Sequence, residues 1–155
     1  MRISTKIDYA LRAMAELAAA EGDRPMKAET IATEQDIPLK FLLAILGELR
    51  RGRLVRSQRG QAGGYALARS ATEITLADIM RAVEGPLANV HDESLREIEY
   101  PGPAAGLVDI WKAVRTSLRH VLETTRLSDL AAGRLPKKIK TLAEEYEESE
   151  RHRSA

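Results

Sequence analysis

Residues 37–69 read IPLKFLLAILGELRRGRLVRSQRGQAGGYALAR. Pro38 suits the first turn of a helix, where a missing N–H costs nothing. Leu39, Leu42, Ile45, Leu46 and Leu49 then recur at helical spacing and form one apolar face, and Gly52 ends the pattern. Beyond it, Leu54 to Arg59 and Tyr65 to Arg69 read as two strands, joined by the flexible loop Gly60-Gln61-Ala62-Gly63-Gly64. A helix thus runs directly into a short β-hairpin. At about 100° per residue, the side of the helix opposite the apolar face holds Lys40, Ala44, Gly47 and Arg51, with Leu43 and Arg50 at its border. Small residues there suit a close approach to a DNA major groove; Gly47 suits helix packing or an ordinary surface position equally well.

Charge sharpens this reading. Residues 1–70 hold 12 Lys+Arg against 8 Asp+Glu, and residues 71–155 hold 12 against 15, so a chain of net charge +1 has a basic front half. Within 47–69 stand Arg50, Arg51, Arg53, Arg56, Arg59 and Arg69, with Glu48 as the one acid. A scattered excess would read as a solvated face. Six arginines packed around one hairpin read as a surface for phosphates.

Upstream, residues 4–20 form a first helix with Ile7, Ala10, Leu11, Met14, Leu17 and Ala18 on one side. Ser4 or Thr5 can cap its start, and Thr5 with Asp8 has capping-box spacing. A second helix covers about Lys27 to Thr33, and Gln35-Asp36-Ile37 connects it to the helix of the opening stretch. Two short helices joined this tightly make a helix-turn-helix. Downstream, Thr75 as N-cap, Asp78 three residues on, and the pair Ile74 and Ile79 mark a fourth helix that Gly85-Pro86 stops.

Residues 86–105 read as a loop, with a helical turn near Ser94 to Ile98. Residues 106–125 form a longer helix on which Leu107, Trp111, Val114, Leu118, Val121 and Leu122 recur, widened by Val108 and Ile110. That stripe is broad for the edge of one small domain, so it suggests packing on a second copy. Leu127 to Ala132 is a short helix with Ser128 as N-cap. From Lys137 on the chain is highly charged, with helical character around Leu142 and Tyr146 and a mobile end.

The fold class is therefore mainly α: a winged helix-turn-helix domain with a two-stranded β wing and a long dimerisation helix. Its expected parts are a DNA-binding domain at 1–85, a loop at 86–105, the dimerisation helix at 106–126, and a short helix with a charged tail at 127–155.

At this point the residues resemble the bacterial Rrf-two family of winged-helix transcription regulators, the IscR, NsrR and CymR type. The matching phrases are ISTKIDYALRAM (3–14), IATEQDIPLKFL (31–42), ELRRGRLVRSQRGQAGGYALAR (48–69) and EITLADIMRAVEGPL (73–87), which cover about 1–87 almost without gaps. The resemblance implies a homodimer on a palindromic double-stranded operator, acting as repressor or activator. It implies that Arg59, with Gly60 and Gln61 beside it, enters a minor groove, and that Lys40 contacts DNA from the recognition helix. It implies that Ser4, Thr5 and Lys6 meet phosphate. Lys27, Phe41, Ala44, Arg50, Arg51 and Arg56 complete the expected DNA-binding set. Leu107, Ile110, Trp111, Val114, Leu118, Val121 and Leu122 form the expected dimer interface.

Two departures from the family matter. Many members carry a Glu-Gln pair where this chain has Leu43-Ala44, which leaves apolar contact, for instance with a thymine methyl, at those positions. Iron–sulfur members place three cysteines in the segment matching 86–105, and this chain has none anywhere. No cofactor is expected, since a normal cluster needs thiolates. Asp8, which matches an extra ligand position, then reads as a cap or ion-pair partner. The signal, by analogy with CymR-type members, would come from an effector protein or a small molecule, with cysteine or sulfur metabolism as the analogue's field.

Other chemistry is set aside. His91, Asp92 and Glu93 are adjacent on a loop and rarely converge on a metal. His120 reads as a surface or interface residue, and Trp111 as interface core. No phosphate loop, GxSxG, HExxH or Cys/His pair is present, so no enzyme is expected. A winged helix used as a protein-interaction module would carry a wing without arginines. Lys6, Asp8, Arg12 and Glu16 interrupt any signal-peptide core, no run reaches membrane-spanning length, and a cytoplasmic protein is expected.

Overall fold

The computed structural model describes residues 3–20, 24–85 and 97–153. Helix α1 spans Thr5–Ala19. Ser4 is its N-cap: the Ser4 Oγ accepts the Ile7 N–H at 3.1 Å, satisfying one of the donors that a helix start leaves free. Thr5 is the first helical residue rather than a cap. The Asp8 carboxylate, expected to close a box with Thr5, instead lies 3.0 Å from the Arg12 guanidinium one turn on.

Helices α2 (Ala28–Gln35) and α3 (Leu39–Arg51) form the helix-turn-helix. Asp36 makes the turn in the left-handed region, at φ 49, and the Ile37 N–H returns to the Ala32 carbonyl at 2.9 Å. Aspartate is among the few side chains that tolerate this conformation. The buried Ile37 supplies the apolar contact that accompanies such helix ends.

Helix α3 ends in the same way, at Gly52 as the sequence pattern indicates. Gly52 is the C-cap, but its φ is an ordinary −73. The left-handed residue is Arg53, at φ 58, and the Leu54 N–H returns to the Leu49 carbonyl at 3.0 Å. Gly52 is needed for space: a Cβ there would lie 2.9 Å from the Ala82 Cβ.

Strands β1 (Val55–Gln58) and β2 (Gly64–Leu67) pair antiparallel, with Val55 opposite Leu67 and Gln58 opposite Gly64. They are shorter than the sequence suggested, because the Leu54 N–H closes α3 and Arg59 already belongs to the turn. Helix α4 (Leu76–Glu84) starts with the expected capping box. The Thr75 Oγ1 accepts the Asp78 N–H at 3.1 Å, and the Asp78 carboxylate accepts the Thr75 N–H at 3.0 Å. Ile74 and Ile79 are both fully buried beside it.

A 3-10 turn at Gly102–Ala104 leads into α5 (Leu107–Thr124). The helical turn expected near Ser94 begins outside the described residues. After α5 the chain returns to the winged domain. The Leu76 N–H donates to the Thr125 carbonyl at 3.1 Å and the Leu127 N–H to the Ile74 carbonyl at 2.9 Å. Helix α6 (Leu127–Ala131) is capped by Arg126, whose N–H the Asp129 carboxylate accepts at 3.1 Å; Ser128 lies inside the helix. Leu127 is completely buried in the same core as Ile7, Met14, Ile31, Leu46 and Ile79. A boundary between residues 126 and 127 therefore falls next to a side chain of the winged domain's core. Each large apolar side chain in that core contributes about 1.5–3 kcal/mol by leaving water. Helix α7 (Lys137–Arg153) follows, with no buried residue.

Candidate nucleic-acid interface

Leu42, Ile45, Leu46 and Leu49 pin α3 to the core. Its far side therefore faces outward: Lys40, Phe41, Leu43, Ala44 and Arg51 are exposed and Gly47 is half-buried. Leu39, expected in the buried arc, is 37% exposed, because it stands at the arc's edge in the first turn. Arg50 donates to the Ser57 Oγ at 3.1 Å, joining the last turn of α3 to β1, where Arg56 is also exposed.

The single acid of this stretch is neutralised from α1. The Lys6 ammonium lies 2.8 Å from the Glu48 carboxylate and donates to the Val83 carbonyl at 2.6 Å. The Ser4 hydroxyl, besides capping α1, bonds the Glu84 carboxylate. Ser4 and Lys6 thus brace α1 against α3 and α4, while Thr5 is exposed beside them. Glu48 faces Lys6, and the arginines of α3 and the wing keep their positive field.

The wing is built by its glycines. The Gly63 N–H donates to the Gly60 carbonyl at 3.0 Å and closes the turn, with Gly60 at φ 102. A Cβ at Gly63 would fall 2.2 Å from the Gln58 carbonyl oxygen, and one at Gly64 only 2.5 Å from that of Met26. Met26 and Tyr65 exchange backbone hydrogen bonds at 2.7 and 2.8 Å, so the residue just ahead of Lys27 and α2 forms an isolated antiparallel bridge with β2. This brings Lys27 next to the wing: Arg24, Lys27, Thr30, Gln61 and Ala62 line one open groove of about 420 Å³. Arg59, Gly60 and Gln61 are exposed at the wing tip.

The expected set omitted one residue with a structural signature. Arg53 is exposed and holds a left-handed backbone where glycine is the comfortable choice. The Gly-Arg pair after the helix was visible in the sequence, but no local signal places the left-handed conformation on the arginine.

On α5 no residue is buried. Ile110 is 56% and Val114 42% exposed; Leu107, Trp111, Leu118, Val121 and Leu122 are half-buried. The Trp111 Nε1 and Arg115 Nε are covered without a hydrogen-bond partner among the described residues. The helix is fastened to α4 by Glu123, whose carboxylate meets Arg81 and, at 3.0 Å, Arg119. The hydrogen bond from Arg81, then that from Arg119, holds the Glu123 carboxyl below the usual carboxylate range.

A wing, a helix-turn-helix and an arginine-rich outer face define a helix-turn-helix regulator. The chain belongs to the Rrf2 family: a model described as "Iron-dependent Transcriptional regulator" matches residues 3–133. Rv1287 of Mycobacterium tuberculosis, named among the HTH-type transcriptional regulators, is 49% identical over 98% of this chain and 96% of that protein. The structure of CymR from Bacillus subtilis, described as that organism's global cysteine regulator, superposes with a TM-score of 0.73. It is 36% identical and covers 85% of this chain and 97% of its own. The IscR of T. potens gives 0.68 at 32% identity, covering 86% of this chain and 88% of its own.

The family's description names iron, and the donor set here does not fit a thiolate-held cluster. The sequence contains no cysteine. Among the described residues no three histidine, aspartate or glutamate side chains gather as a metal site. Asp8 is paired with Arg12; His91, Asp92 and Glu93 lie outside the described residues. No helix among the described residues is long and apolar enough to cross a membrane.

Proposed function

We propose that the chain is a homodimeric, sequence-selective DNA-binding transcription regulator, acting as a repressor and working without an iron–sulfur cluster. The observation that carries it is the joint anchoring of α3 and the wing. Arg50–Ser57 ties the recognition helix to β1, and Met26–Tyr65 ties β2 to the segment leading into α2. A rigid outer face results, with Lys27, Lys40 and Arg51 on the helix-turn-helix and Arg56 and Arg59 on the hairpin.

In this reading α3 lies in a major groove and Arg59 enters the adjacent minor groove. Thr5, Lys40, Arg50, Arg51 and Arg56 sit at phosphates, as does the exposed Arg53 on its left-handed backbone. Ser4 and Lys6 belong to the same edge, and their bonds to Glu84, Glu48 and Val83 give them a bracing share of the work. The exposed apolar residues of α5 support a second copy packed there, giving two half-sites related by a twofold axis.

The absence of cysteine and the likeness to CymR favour a signal from an effector protein or small molecule. Selection of duplexes from the source genome, followed by sequencing, tests the proposal. Enrichment of one palindromic motif supports it, and recovery of unrelated sequences contradicts it.

A further inference from the structure

We infer that α3 reads its operator chiefly through thymine 5-methyl groups, with Phe41, Leu43 and Ala44 as the reading residues. The inference rests on the DNA-binding reading above and names what that surface recognises.

Direct readout of most base edges needs side chains of definite type. Adenine takes a bidentate Asn or Gln, and cytosine takes a carboxylate acceptor. Helix α3, LKFLLAILGELRR, contains no Asn, Gln, Asp, Ser or Thr. Its one carboxylate, Glu48, is paired with Lys6 at 2.8 Å. Of its cations, Arg50 is turned to Ser57. Lys40 and Arg51 remain for guanine or phosphate. The rest of the outward face is apolar: Phe41 is 62% and Leu43 45% exposed.

Their placement gives the surface a shape. At about 100° per residue, Phe41 and Leu43 stand on opposite flanks of the outward arc, with Ala44 between them. One turn further on, a Cβ added at Gly47 would meet only the end of the Arg51 side chain, at 3.8 Å. The result is a shallow apolar trough between two projecting side chains, bounded by the cations Lys40 and Arg51. Exposed leucine alone carries no message. An exposed Phe and Leu framing a trough inside the most basic part of the chain are charge-matched to a polyanion. The apolar group that a duplex offers in its major groove is the thymine methyl.

The test uses the full chain and a duplex obtained by selection from a random library. Thymines in each half-site are replaced one position at a time by deoxyuridine. This removes a methyl and leaves every hydrogen-bonding group in place. Each contacted methyl is expected to lose affinity by about fourfold, and a symmetric pair by about tenfold or more. Placing cytosine at such a position weakens binding, and 5-methylcytosine recovers part of the loss. Leu43→Ala and Phe41→Ala, both at exposed positions, lower affinity for the thymine duplex while leaving affinity for the deoxyuridine duplex nearly unchanged. Equal affinity for the two duplexes overturns the inference and leaves selective DNA binding standing, as does an equal loss on both in the two variants. Failure to select any preferred duplex overturns the underlying reading, and this inference with it.

Discussion

The backbones of Met26 and Tyr65 exchange two hydrogen bonds, at 2.7 and 2.8 Å, across a gap that leaves no room for a side chain on Gly64. The wing is thereby aimed by Met26, just ahead of α2. A Cβ at residue 64 would lie 2.5 Å from the Met26 carbonyl oxygen, and φ there is 147. Gly64→Ala is therefore expected to displace the hairpin and weaken DNA binding at least tenfold. Far-UV circular dichroism should show helix content unchanged, because α1, α3 and α4 also pack on one another through Ile7, Met14, Leu46 and Ile79.

Arg59 stands at the wing tip before Gly60. Its replacement by alanine should reduce affinity for a selected duplex on the order of tenfold. It should also reduce the slope of log affinity against log salt by about 1. Fluorescence anisotropy titrations at several salt concentrations measure both quantities.

Arg53 carries a positive φ of 58. Arg53→Gly removes a strain of about 1 kcal/mol and raises stability by a similar amount. The same substitution removes a cation between α3 and β1, so DNA affinity should fall while the denaturation midpoint rises. A parallel fall in both would show that Arg53 is structural.

The Thr75–Asp78 box holds the start of α4 at 3.0 and 3.1 Å. Thr75→Ala should cost about 1 kcal/mol, read as a lower midpoint in urea at unchanged slope.

Glu123 joins α4 to α5, and its folded carboxyl lies below its ordinary value because of Arg81 first and Arg119 second. A depressed folded pKa means that the unfolded chain binds the extra proton first as pH falls. The contribution is present above the unfolded value near 4.5 and is lost as pH drops through the folded one. Glu123→Gln should lower stability in the neutral region and flatten the acid limb, so that variant and parent converge at the acid end. Thermal melts from pH 7 down to about 3 check it.

The stripe on α5 supplies the oligomer test. Ile110→Asp together with Val114→Asp places charge on two exposed apolar positions. The proposed assembly predicts that sedimentation reports a dimer for the parent chain and a monomer for this variant.

Much of this architecture was legible in the residues. Pattern sufficed for α1 and α3 and capping for α4, because Leu42, Ile45 and Leu49 repeat at helical spacing and Thr75 with Asp78 marks a start without ambiguity. The Gly63-Gly64 pair signalled the wing turn, though its partner Met26 lies far off in sequence and no local pattern announces that pairing. The role of Leu127 was hidden for the same reason: a five-residue helix carries too little periodicity to say that it returns to the first helix's core. Arg53 escaped because the neighbouring glycine offers the easier explanation of the helix end. The engagement of Lys6 by Glu48 depends on where α1 crosses α3, which only packing decides.

The central claim is that α3 and the wing together bind duplex DNA selectively through a basic surface. Its most direct measurement is the affinity of the intact chain for a selected palindromic duplex against a shuffled one, across a salt series, with the parent and Arg59→Ala. The account predicts a preference of roughly 10³-fold or more, a steep loss of affinity with salt, and a shallower slope for Arg59→Ala. Equal affinity for the two duplexes, or binding indifferent to both salt and Arg59, would contradict it.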